Sequence, residues 1–290
     1  MLQLLVESGS TKTDWALIER ESGASRVIKK WQSEGLNPSL LNREKLFRLL
    51  REACKNIEKG KIEQVDFHGA GCESPEAQNQ IRAFFKKNFG CQRVLVANDL
   101  LAAARACSLG KAGIICILGT GSSSAHYDGK NISASLPGLG YILGDEGSGA
   151  YIGKRLLQSF FYGYMPKEVE EKFAHWLSPN ENLSSEKLRD AILEKVYRQT
   201  PANRYLASLT HFISAHPHPF LDHLLKRSFD DFLQLLHRYP ESNRLPVHFV
   251  GSIAWHFQKQ LKSALQNRQL QAGQIVQSPM QKLIKQALIT

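Results

Sequence analysis

A short apolar run that breaks into a Gly/Ser/Thr cluster occurs twice in this chain, and the repetition limits the folds open to it more than any other feature. The first copy is LQLLV at 2–6, leading into ESGSTKTDWALIE at 7–19. The second is GIICIL at 113–118, leading into GTGSSSAHYDG at 119–129. In both, an apolar strand stops at residues that turn tightly and a second strand follows, which is the pattern of a hairpin. WALIE at 15–19 and RVIKKW at 26–31 complete the first meander, with Glu21, Ser22 and Gly23 as a turn. In the second copy the turn is Asp128 and Gly129, and Ile132 opens the third strand. After the first meander, strands at 64–71, 93–97 and 113–119 alternate with helices at 75–88 and 99–109. Such spacing implies crossover connections and parallel pairing. A further helix at 42–58 has Asn42 as its N-cap. The chain reads as a duplicated unit of three strands, helix, strand and helix.

Between the second meander and its closing strands the pattern turns helical. From about 148 to 238, Leu156, Leu157, Phe160 and Phe161 form one apolar stripe, and Leu224, Leu225, Phe229, Phe232, Leu235 and Leu236 form another. Stripes at that spacing are core faces. A strand at 247–251, a helix at 253–267, a strand at 273–277 and a helix at 279–289 finish the second copy.

With 290 residues and 42% hydrophobic content, the chain can bury a large core and is long enough for about two domains. No apolar run nears the ~20 residues of a membrane helix, and the N-terminal run is too short for a signal peptide. A cytoplasmic protein is expected. The five cysteines show no paired spacing, which fits buried thiols better than disulfides or a zinc ribbon. The formal charge is +10, and no acidic residue follows Glu241 although six Lys and Arg residues do. No basic run is interleaved with aromatics there, so a solvated basic face that favours an anionic ligand is expected rather than a nucleic-acid surface.

Six segments carry candidate chemistry. At 6–15, Gly9, Ser10, Thr11, Lys12 and Thr13 form either a plain hairpin or a phosphate cradle, in which backbone N–H groups and hydroxyls hold oxygens. Lys12 adds charge, and Glu7 could hold a metal through water. The GTGSSS hairpin, with Thr120, Gly121 and Ser122, offers the same chemistry a second time. At 96–106, Asp99 lies at a strand-to-helix junction, as an N-cap, a general base, or both. At 137–150, five glycines surround Asp145 and Glu146, which are expected at a helix start. They suit either the helix dipole or the hydroxyls of a sugar. Asn37, within SEGLNP at 33–38, is a turn residue or a two-sided hydrogen-bonding group. Gly251 begins a strand–turn–helix at VHFVGSIAW. His211, His216, His218 and His223 read as a loop between helices rather than a metal site.

Together these pieces resemble the actin, sugar-kinase and heat-shock-chaperone ATPase superfamily. More closely, they are similar to the N-acetylglucosamine kinase branch of the BadF/BadG/BcrA/BcrD ATPase family, nearly end to end. The motifs that carry the resemblance are ESGSTKTDW, NDLLAAARA, LGTGSSS, the glycine-rich signature at 138–149 with its GDEGSG string, and VGSIA. The resemblance implies an α/β fold of two duplicated ribonuclease H-like lobes, an actin-like ATPase fold with helical insertions in the second lobe and an interlobe cleft. The lobes would be 1–112, joined by the helix at 278–290, and 113–277. It implies ATP with Mg²⁺ and phosphoryl transfer to the 6-hydroxyl of an amino sugar, with no nucleic acid or membrane as partner and room for a homodimer. Asp99 falls on the family's base. Asn37, Gly138, Gly140 and Asp145 fall on sugar-binding positions. Ser10, Thr11, Lys12, Thr120, Gly121 and Ser122 fall on phosphate positions, Gly251 on the adenosine motif, and Glu7 on the metal side of the first hairpin. Three residues depart from the family pattern: Glu7 in place of Asp, and Ser8 and Ser252 in place of Gly. A non-catalytic sugar or nucleotide sensor, and an iron–sulfur activator of 2-hydroxyacyl-CoA dehydratases, are the competing expectations.

Overall fold

The structure is a computed structural model that describes residues 1–21, 24–58, 60–179, 183–199 and 201–289. The turn expected at Ser22 and Gly23 lies outside the described residues. The chain divides into two compact units. Unit 1 comprises residues 1–111, 127–132 and 278–290, and unit 2 comprises 112–126 and 133–277.

Unit 1 runs β1 (Leu2–Ser8), β2 (Lys12–Glu21), β3 (Ala24–Glu34), α1 (Arg43–Ala53), β4 (Ile62–Gly69), α2 (Pro75–Phe89), β5 (Arg93–Asn98) and α3 (Asp99–Cys107). Its sheet has the order β3-β2-β1-β4-β5. The hairpin pairs are antiparallel, while β1, β4 and β5 run parallel, as the crossover helices require. Alternation along β1 sends Leu4 and Val6 to one face, where Leu46, Leu50, Phe84 and Phe85 of α1 and α2 cover them. Leu5 faces the other way, with Ala16, Ile18 and Ala102, against a closing helix at Met280–Ile289.

Unit 2 begins with β6 (Gly113–Leu118), β7 (Ser122–Tyr127) and β8 (Ile132–Ser135), the tip of this hairpin falling in unit 1. Seven helices follow: α4 (Gly140–Leu143), α5 (Gly149–Phe161), α6 (Lys167–Leu177), α7 (Ser185–Tyr197), α8 (Ala202–Ser208), α9 (Thr210–Ala215) and α10 (Pro219–Leu235). Then come β9 (Val247–Val250), α11 (Ser252–His256), α12 (Gln258–Asn267) and β10 (Ala272–Val276), and α13 (Met280–Ile289) returns to unit 1. The second sheet has the order β10-β9-β6-β7-β8. Counted from its own first strand, this is the order of the first sheet, so the duplication read from two hairpins extends to the whole sheet plan. Phe173, Phe212, Phe229 and Phe232 from the inserted helices pack with Ile114, Val247 and Phe249 of the sheet.

Several boundaries differ from expectation, for physical reasons. Asn42 caps α1 by accepting from the Lys45 N–H at 2.9 Å, as read. The helix ends at Ala53 rather than 58, because the Trp31 indole takes the Ala53 carbonyl at 3.0 Å, and Ile57 N–H bonds to Cys54 instead. The helix expected at 253–267 is broken at Phe257, whose backbone leaves helical geometry while its ring is buried in the unit 2 core. Tertiary packing outweighs the periodicity there. The turn of helix at α4 has no counterpart in the sequence reading, and Ile142 and Leu143 on it are exposed.

Candidate functional site

In unit 1 the parallel strands bring the ends of β1, β4 and β5 level, with Ser8 opposite Gly69 and Gly69 opposite Asn98. Ligands of open α/β sheets bind at such carboxyl ends. The first hairpin closes with Gly9 N–H donating to the Lys12 carbonyl at 2.9 Å.

Ser8, the departure from the family pattern, is fully buried and has a task of its own. Its Oγ accepts from the Leu36 N–H at 2.9 Å and lies 2.7 Å from Thr13 Oγ1, which donates to the Glu34 carbonyl at 2.9 Å. The hydroxyls therefore relay donors from Leu36 through Ser8 and Thr13 to Glu34, and tie the 34–37 segment to the hairpin. Asn37 Nδ2 continues that tie, donating to Ser10 Oγ at 3.0 Å, while its Oδ1 accepts from the Ser39 N–H at 2.9 Å. Asn37 is thus a turn residue that contacts a hairpin hydroxyl.

Glu7 and Asp14 are directly opposed across β1 and β2. Like charges in that position repel. Lys12 Nζ sits 3.2 Å from Asp14, whose other oxygen accepts from Gln32 Nε2 at 2.6 Å. Burial first, and then the charges of Asp14 and Asp99, push Glu7 up to about 8, with Lys12 pulling the other way. Asp14 was present in the hairpin motif but was not singled out; its strand pairing with Glu7, invisible in a linear motif, is what gives it importance.

Of the two roles read for Asp99, the N-cap goes to its neighbour. The N-cap of α3 is Asn98, whose side chain accepts from the Leu101 N–H at 3.0 Å. Asp99 is the first helical residue. Burial, then the charge of Glu73, push it up to about 7, against hydrogen bonds from its own N–H and that of Leu100. His68, beside Glu7 on β4, is buried, its Nδ1 has no partner, and burial pushes it down to about 4.

Unit 2 carries the other candidates. The N–H groups of Gly149 and Ala150, orphaned at the start of α5, donate to the carbonyls of Gly119 and Thr120 at 2.8 and 3.1 Å. The second hairpin is thereby fixed to the helix. Asp145 and Glu146 do not begin a helix: Ser148 caps α5, and no acidic residue lies in its first turn. Asp145 instead adopts a left-handed backbone, φ 59°, a conformation that Asp tolerates better than most residues. Its Oδ1 accepts from the Ser122 N–H at 3.3 Å, so it lies against Gly121 and Ser122. Burial raises the Asp145 carboxyl above its usual range. Gly140 opens α4, with Gly138 two residues before it. Gly251 has φ 125°, and a Cβ there would stand 2.3 Å from the Leu118 carbonyl oxygen. Strand packing alone therefore demands glycine. His216 stacks on Phe212, and His218 Nδ1 accepts from the Phe220 N–H.

Among the described residues, no three His, Cys, Asp or Glu side chains converge as a metal cage. Mg²⁺ seldom uses one; it keeps waters and takes one or two carboxylates plus substrate phosphates. The opposed Glu7 and Asp14, with Glu7 driven towards its neutral form by burial and then by neighbouring carboxylates, suit such a cation. The cysteines are buried and unpaired, and burial pushes Cys54, Cys72 and Cys107 up to about 12, which makes them poor ligands for a cluster shared between subunits.

The sequence profile of the BadF/BadG/BcrA/BcrD ATPase family matches residues 6–210. This chain belongs to that family. A candidate N-acetylglucosamine kinase from Porphyromonas gingivalis shares 39% identity with this family member over 97% of both chains, with a TM-score of 0.86. A second candidate N-acetylglucosamine kinase, from Chromobacterium violaceum, is 20% identical over 98% of both, with a TM-score of 0.63, and shows the shared fold. The N-acetylmuramic acid/N-acetylglucosamine kinase of Clostridium acetobutylicum is 26% identical over 148 residues, 50% of this chain. That match spans about half of the curated relative, 47% of its length. Among the described residues, no helix is long and apolar enough to cross a membrane.

Proposed function

We propose that this protein is an ATP-dependent amino-sugar kinase that phosphorylates N-acetylglucosamine on its 6-hydroxyl. The observation that carries the reading is Asp99: a carboxylate at the carboxyl end of a parallel strand, next to the Asn98 cap and held at about 7. A base poised near neutrality is what proton removal from a sugar hydroxyl needs. Family membership and the three kinase relatives support the same activity.

In this mechanism Asp99 accepts the 6-hydroxyl proton as the sugar oxygen attacks the γ-phosphorus of ATP. The bond from phosphorus to the bridging oxygen breaks, and ADP leaves. Little else is demanded of the protein beyond positioning and charge neutralisation. Ser10, Thr11 and Lys12 of the first hairpin and Thr120, Gly121 and Ser122 of the second hold phosphate oxygens, and Gly251 borders the adenosine. Asn37, Asp145 and the loop of Gly138 and Gly140 hold the sugar hydroxyls. Glu7 and Asp14 would hold Mg²⁺, which would offset the phosphate charge.

The test is sugar-dependent ADP release with Mg-ATP across N-acetylglucosamine, N-acetylmuramic acid, glucosamine, N-acetylmannosamine, glucose and no sugar. N-acetylglucosamine should give the largest signal, with the product phosphorylated at the 6-position by NMR. Sugar-independent ADP release throughout would sink the reading.

A further inference from the structure

Within unit 2, α5 and α10 border a cavity of about 440 Å³ that none of the roles above uses. That volume lies within the range of small-molecule sites. Helical spacing brings Arg155, Gln158 and Tyr162 to one side and His223 and Arg227 to the other, and Tyr164 closes it from the turn after α5. No carboxylate lines it. Among the described residues neither arginine forms an ion pair, and the acid one turn beyond Arg227, Asp231, accepts from the Tyr151 hydroxyl at 2.8 Å. Arg155 is half-buried and stands over the Tyr151 ring at 5.8 Å, beside Lys154 at 5.2 Å.

The aromatic lining is as unusual as the charge. Tyr162 and Tyr164 are 67% and 70% exposed, with rings 6.0 Å apart at an angle of 70°. Two exposed phenols beside two arginines join flat apolar faces to planar cationic forks, a pairing common where proteins recognise ligands. The cavity runs away from the hairpin contact of its own unit. The 119–120 carbonyls meet the N-terminus of α5, whereas the cavity starts at Arg155 and ends at the C-cap, Tyr162. At ~1.5 Å per residue its near and far ends lie about 9 and about 20 Å along the helix from that contact.

We propose that this cavity binds a phosphate monoester carried on a ring. The arginine forks and His223 take the phosphate, the two tyrosines take the ring face, and the Gln158 amide takes a polar substituent of the ring. A nucleoside monophosphate and a sugar phosphate share this chemistry. Calorimetric titrations with AMP, glucose 6-phosphate and inorganic phosphate separate the sources. They use the full chain, the double variant Arg155→Gln/Arg227→Gln and Tyr164→Ala. One ring phosphate should bind the unaltered chain roughly 10-fold or more tighter than inorganic phosphate, and the double variant should lose at least that factor. Tyr164→Ala should bring the ring ligand down towards inorganic phosphate. Preference for AMP assigns a nucleotide, and preference for glucose 6-phosphate assigns a sugar phosphate. Unchanged affinities in the double variant, absence of binding by all three, or inorganic phosphate equal to both ring ligands overturns the proposal. Circular dichroism confirms that each variant is folded. Turnover of the double variant in the ADP-release assay stays at the level of the unaltered chain, which separates this cavity from the proposed catalytic residues.

Discussion

Replacing Asp99 with Asn separates chemistry from stability in opposite directions. The substitution leaves the α3 cap untouched, because Asn98 accepts from the Leu101 N–H. It removes the proton acceptor, so turnover should fall by ~10²-fold or more. The same change should stabilise the fold at alkaline pH. The Asp99 carboxyl moves from 3.8 to about 7 on folding. The native state therefore keeps a proton that the unfolded chain releases between those values, and stability falls as pH rises through that window. At ~1.4 kcal/mol per pH unit, the accumulated cost by pH 8 is at most about 4 kcal/mol. Asn carries no charge and escapes that cost. Loss of the Asp99 charge also lets Glu7 ionise more readily, since Asp99 is one of the charges that raise it. Urea unfolding of both proteins near pH 5 and pH 8, run beside the ADP-release assay, measures both effects. The stability gap should be about 2 kcal/mol near pH 5 and widen to at most about 4 kcal/mol by pH 8. Turnover close to that of the unaltered chain would remove Asp99 from the mechanism. An Asn variant no more stable than the parent at pH 8 would show that the site does not hold a buried, costly charge.

Three further outcomes follow from the geometry. Ser8→Ala strands the buried Leu36 N–H and removes one of the Thr13 hydroxyl's two partners, so thermal unfolding should report a loss of about 1–3 kcal/mol; a loss under ~0.5 kcal/mol would mean that water replaces the hydroxyl. Asp145→Asn keeps an acceptor for the Ser122 N–H and a residue tolerant of left-handed backbone, but loses the charge offered to the sugar. Calorimetry should show sugar affinity down about 10- to 150-fold with ATP affinity nearly unchanged, and equal loss of both would mark Asp145 as structural. Gly251→Ala sets a Cβ 2.3 Å from the Leu118 oxygen at φ 125°, and should cost about 2 kcal/mol or more in unfolding measurements whether or not nucleotide is present.

The sequence was most legible where one local signal had one structural outcome. Two hairpins after apolar strands led to the duplicated sheet, and Asn42 was visible as a cap. The sequence was least legible where residues separated along the chain share a backbone group. Asp99 and Asn98 both suit a cap, and only the backbone at the junction decides between them. Asp145 and Glu146 looked like the acids of a helix start, yet Ser148 takes that place, and Asp145 bonds Ser122, a residue 23 positions earlier. Ser8 appeared as a departure from a glycine pattern because its partners, Leu36 and Thr13, come from strand pairing and a distant loop. Asp14 was overlooked for the same reason. The candidate residues were recognisable as chemical types, but their partners depended on register, which periodicity does not encode.

The path of α13 has a consequence for how the protein is made. On the ribosome, β1 through α3 emerge first, with the Asp99 helix among them. One face of their sheet, with Leu5, Ala16, Ile18 and Ala102, is covered by Leu283 and Ile284 of α13. Those residues are translated only after all of unit 2, so the earliest-made half closes last. Chains emerge at about 5–20 residues per second, and domains fold as units, so unit 2 can complete its core while unit 1 still waits for its final helix. Until α13 docks, the sheet that holds the proposed base keeps an open apolar face. A nascent chain should therefore expose that face until unit 2 has been made, and Asp99 gains its settled surroundings only when α13 docks.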